Sequence, residues 1–78
     1  MATRRQNERK YGRWADLPDG GRRYWRDVRG RTSGSARYVK EVDLAEVTAR
    51  LRQEIYDSDG NLVEIHCIYP VDTGHQKV

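Results

Sequence analysis

The chain has 78 residues, 36% hydrophobic and 35% charged, with five Tyr, two Trp and no Phe. That length makes one domain which buries only about 60% of its unfolded surface, so its core is thin and a homodimer would help to cover the apolar residues. The formal charge of +3 is uneven: residues 1–31 carry ten Lys/Arg against four Asp/Glu, and residues 32–78 carry five against eight.

Residues 1–10 have no periodicity and almost no apolar side chain, which predicts a flexible basic arm ahead of a single β-rich domain over 11–78. Pro18-Asp19-Gly20-Gly21 is a turn, because Pro presets φ and Gly supplies a positive φ. A first strand is expected at about 22–28, with Tyr24 and Trp25 as its bulk. The basic, Gly/Ser-rich stretch 29–35 then reads as a mobile loop. A second strand is expected at about 36–43, with Tyr38, Lys40 and Val42 on one face and Val39 and Glu41 on the other.

Residues 44–56 fit two patterns. As a helix, Asp43 caps, Glu46 closes a capping box, and Leu44, Val47, Leu51 and Ile55 share a face. As a strand at 47–57, they pair with a fourth strand at 61–69 across Ser58-Asp59-Gly60, a three-residue hairpin loop with Gly60 left-handed. In that register Glu54 faces Glu64, Arg52 faces His66, and Ala49, Leu51, Gln53, Ile55, Val63, Ile65, Cys67 and Tyr69 form one apolar face. A four-residue link over 43–46 pairs Val42 with Val47 and Tyr38 with Leu51. The fold expected is mainly β, an antiparallel meander of about four strands; the alternative is a helix at 44–56 packed on a sheet.

Three constellations could carry chemistry. Glu54, Glu64 and His66 meet on the polar face of the 48–69 hairpin, and a carboxylate pair beside a His suits general acid–base work, with His75 as a further candidate. Pro70 ends the last strand, and Gly74 lets His75 turn back, so His66, Asp72 and His75 form a weak candidate metal set. Arg22, Arg23, Arg26, Arg29 and Arg31, interleaved with Tyr24 and Trp25, suit phosphate contacts and base stacking. Each has an ordinary structural counterpart: a solvated charged strand face, an ion-pair network, or a core aromatic. Cys67 reads as a small core residue.

The single Cys excludes an internal disulfide framework, and no apolar run approaches a membrane span, so a soluble cytoplasmic protein is expected. No cofactor is expected. The expected function is a non-catalytic binding module that contacts nucleic acid or an acidic protein through its basic N-terminal part. The alternative is a small ribonuclease or metal-assisted hydrolase.

Tyr56-Asp57-Ser58-Asp59-Gly60-Asn61-Leu62-Val63 is similar to a YD-repeat unit, which implies its hairpin geometry. The segments RYVKEVD, QEIYD–turn–LVEIH and YPVDTGH, with Tyr11–Trp14 and Gly20–Tyr24, resemble a family of small bacterial proteins, a domain of unknown function. That resemblance implies a bacterial source and a free-standing domain, and no activity.

Overall fold

The structure is a computed structural model that describes residues 2–30 and 33–78. A short helix, α1 (Arg4–Tyr11), precedes six strands: β1 (Arg13–Asp16), β2 (Arg22–Arg29), β3 (Ser35–Val42), β4 (Thr48–Tyr56), β5 (Leu62–Tyr69) and β6 (Gly74–Lys77). All six form one antiparallel sheet in chain order. The expected meander is therefore present, extended by a short strand at each edge, and residues 48–56 are strand rather than helix.

The segment expected to be a flexible arm is helical from Arg4. Thr3 caps it with a reciprocal capping box to Gln6, and Gly12 closes it at φ 83. Those two caps satisfy end groups that so short a helix leaves open. The helix carries only two buried side chains, Asn7 and Tyr11, so its sequence shows no apolar stripe.

Because strand side chains alternate, the sheet has two faces. Tyr24, Lys40, Val42, Tyr38 and Leu51 lie on the face that α1 packs against. Tyr24 is fully buried at its centre, 6.0 Å from the Tyr11 ring, with Val42 completing the cluster. The opposite face carries Arg23, Trp25, Asp27, Arg37, Val39, Glu41, Arg52 and Glu54, and no element among the described residues covers it. Val39 is only 2% exposed there, since the stems of long neighbours lie over it.

Three bulges set the register and overturn the expected pairings. Val42 pairs with Thr48, but a shift between Glu41 and Val42 then places Tyr38 opposite Gln53 and Lys40 opposite Leu51. The last hairpin starts as expected, with Tyr56 opposite Leu62 and Gly60 at φ 86. A shift beside Ile55 then sets Ile55 opposite Glu64, Glu54 opposite Ile65 and Arg52 opposite Cys67. One extra residue exchanges the two faces of everything beyond it. Leu51 and Ile55 therefore share a face with Glu64 and His66, while Cys67, half-buried, and Ile65 share one with Arg52 and Glu54.

Candidate functional site: the open sheet face

Among the described residues the uncovered face carries six arginines, Arg13, Arg23, Arg29, Arg37, Arg50 and Arg52, against Asp27, Glu41 and Glu54. Arg37 Nε donates to Asp27 at 2.7 Å and holds its carboxyl below the usual range. Arg23 Nε donates to Glu41 at 2.7 Å, and Arg50 and Arg52 approach the same carboxylate at 3.7 and 3.9 Å. Arg52 Nε donates to Glu54 at 2.8 Å, and the Tyr56 hydroxyl donates to its other oxygen at 2.7 Å. Burial alone would raise the Glu54 carboxyl, but those two hydrogen bonds outweigh it and hold it low.

The guanidinium of Arg37 sits 5.9 Å from the Tyr56 ring centre. Trp25 stands amid this network, opposite Arg13 on β1 and Val39 on β3. The result is an open surface with a half-buried indole, several neighbouring guanidinium groups and a cationic excess. Such a surface can stack planar rings and receive phosphates.

The sequence candidates for nucleic-acid contact fall into three groups. Arg23, Trp25 and Arg29 belong to the open face. Arg26 lies on the helix side, 5.8 Å from the Tyr38 ring centre. Arg22 lies on the helix side, only 9% exposed, and donates to Glu8 at 2.7 Å and to Asp16 at 3.0 Å, tying α1 and β1 to β2. Arg31 lies outside the described residues. Arg13, Arg37, Arg50 and Arg52 share that face but were not among the candidates, because they sit on three different strands and only the register brings them together.

The acid–base cluster is divided. Glu54 lies on the open face, whereas Glu64 and His66 lie on the other, so the expected Glu54–Glu64 pair is not formed. His66 and His75 do pair across β5 and β6, with ring centres 4.6 Å apart, and Gly74, at φ 67, admits the turn. His66 Nε2 lies 2.6 Å from Asp72 Oδ1. The Gly74 backbone N–H, then His66, hold the Asp72 carboxyl low. The three candidates His66, Asp72 and His75 are thus neighbours, but among the described residues no group of three or more His, Cys, Asp or Glu is arranged to hold a metal ion.

The geometry defines a small β-sheet protein with one face partly covered by a helix and one open, arginine-rich face. No family model, curated protein or solved structure matches the chain. No helix among the described residues is long and apolar enough to cross a membrane.

Proposed function

We propose that the protein is a non-catalytic binding module for single-stranded nucleic acid and that its open sheet face is the contact surface. The observation that carries this reading is the position of Trp25 within six arginines opposed by three carboxylates. Single strands expose base faces that can stack on an indole while guanidinium groups track the phosphates; a duplex hides those faces. The basic N-terminal part, residues 1–31, contributes Arg13, Arg23 and Arg29, and β3 and β4 contribute the rest.

The test is fluorescence anisotropy with a labelled 12-nucleotide mixed RNA. Four phosphate contacts predict a log Kd against log salt slope of about 2.8. Trp25→Ala weakens binding by roughly five- to a hundredfold, the value of one stacked base. Salt-independent binding, or a Trp25→Ala protein of unchanged affinity, contradicts the proposal.

The hydrolytic alternative retains a specific observation, the His66–Asp72–His75 contact on the other face. The same RNA decides it: cleavage abolished by His66→Ala supports a ribonuclease, and an intact RNA after prolonged incubation removes that reading.

A further inference from the structure

Arg23, Trp25, Arg37, Val39, Arg52 and Glu54 line a depression of about 200 Å3 on the open face. It is smaller than the roughly 300–1,000 Å3 of sites for drug-sized ligands, and its size and open shape suit one planar ring system. Val39, almost wholly buried, closes its base, and the half-buried Trp25 indole borders it with a π surface. Its polar groups are of two opposed kinds. The Glu54 carboxylate accepts one hydrogen bond at each oxygen, from Arg52 and from Tyr56, which leaves each oxygen a further lone pair. The Arg23, Arg37 and Arg52 guanidinium groups are donors only.

We infer that this depression is a nucleobase pocket selective for guanine, a step that rests on the proposed nucleic-acid reading. Guanine presents two adjacent N–H donors, at N1 and N2, which match the two oxygens of one carboxylate. Its O6 and N7 are acceptors that match a guanidinium fork. Adenine and cytosine set a ring acceptor beside their single amino group, where a carboxylate repels it. Uracil has one imide N–H between two carbonyl oxygens. The other three bases therefore leave either the carboxylate or a guanidinium poorly matched.

The experiment compares four nonamers by anisotropy on the wild-type protein at low salt: U9 and U9 with its central base replaced by G, A or C. The G-containing strand binds at least about fivefold tighter than each of the others, the discrimination of one good bidentate contact. Glu54→Gln, checked for an unchanged far-UV spectrum, brings the G-containing strand and U9 to within twofold of each other. In a Trp14→Phe protein the remaining indole, Trp25, reports the same binding by quenching. Equal affinity for all four strands overturns the guanine pocket and leaves the binding face standing. No binding of any strand overturns both.

Discussion

Glu46 holds the most informative backbone position in the molecule. Its φ is 64, the place that Gly20 and Gly60 occupy in the equivalent turns at φ 91 and 86. A left-handed non-glycine residue costs about 1–2 kcal/mol. The compensation is its carboxylate, which accepts from the Asn7 amide and the Tyr24 hydroxyl, both at 2.9 Å, and from Arg4 at 3.4 Å. Burial alone would raise this carboxyl, but Asn7, Tyr24 and Arg4 together hold it low. Asn7 and Tyr24 are almost wholly buried. Removing their acceptor in Glu46→Ala is expected to destabilise by about 2–4 kcal/mol. Glu46→Gly loses the same acceptor but relieves the backbone, so it is expected to be the milder of the two by about 1 kcal/mol. Urea unfolding of both variants measures this, and Gly as costly as Ala would show that the turn stores no strain.

At the scale of elements, legibility followed local chemistry. The Asp57–Asn61 turn was readable because Gly60 marks it and Asp57 accepts from the Asp59 and Asn61 N–H groups. The Asp43–Val47 turn makes the same contacts, Asp43 accepting from Ala45 and Val47. It stayed ambiguous because Glu stands where Gly would signal it. The Glu54–Glu64 pairing failed for a different reason: a bulge adds one residue without altering the alternation that a sequence shows, and one residue exchanges the faces. Helix α1 has sequence signals only at its ends, Thr3-x-x-Gln6 and Gly12, too slight to weigh against the missing apolar stripe.

Glycine turns in this sheet are not equivalent, which gives a second test. Gly60 and Gly34 both have a positive φ, 86 and 77. A Cβ at Gly60 meets open space, while one at Gly34 runs into the Tyr56 carbonyl on the neighbouring strand. Gly60→Ala is expected to cost about 1 kcal/mol for its backbone alone. Gly34→Ala must also displace β4 and is expected to cost about 1–3 kcal/mol more. Equal midpoints for the two variants in urea would contradict this close approach.

For the whole molecule, charge rather than core bulk sets the response to acid. The described core is small: Tyr11, Tyr24, Val39 and Val42 are its buried apolar residues. Around it Asp27, Glu46, Glu54, Asp57 and Asp72 all have lowered carboxyl pKa values, Asp27 chiefly through Arg37, and Asp57 and Asp72 chiefly through backbone N–H groups. The folded chain thus binds these protons less readily than the unfolded one. Their contribution is complete above the ordinary carboxylate range, near pH 4, and is lost as the pH falls through the lower folded values. The fifteen Lys and Arg residues stay charged and lose their counter-charges in the same window, so repulsion adds to the loss. The urea midpoint is expected to hold steady between pH 6 and 5, by the same argument, and to fall steeply below about pH 4. Asp27→Asn removes one of the linked protons, so its profile starts lower at pH 6 and falls less steeply. A wild-type midpoint unchanged down to pH 3 would mean that these ion pairs contribute nothing to the fold, and that the open-face arginines are free of their carboxylates at neutral pH as well.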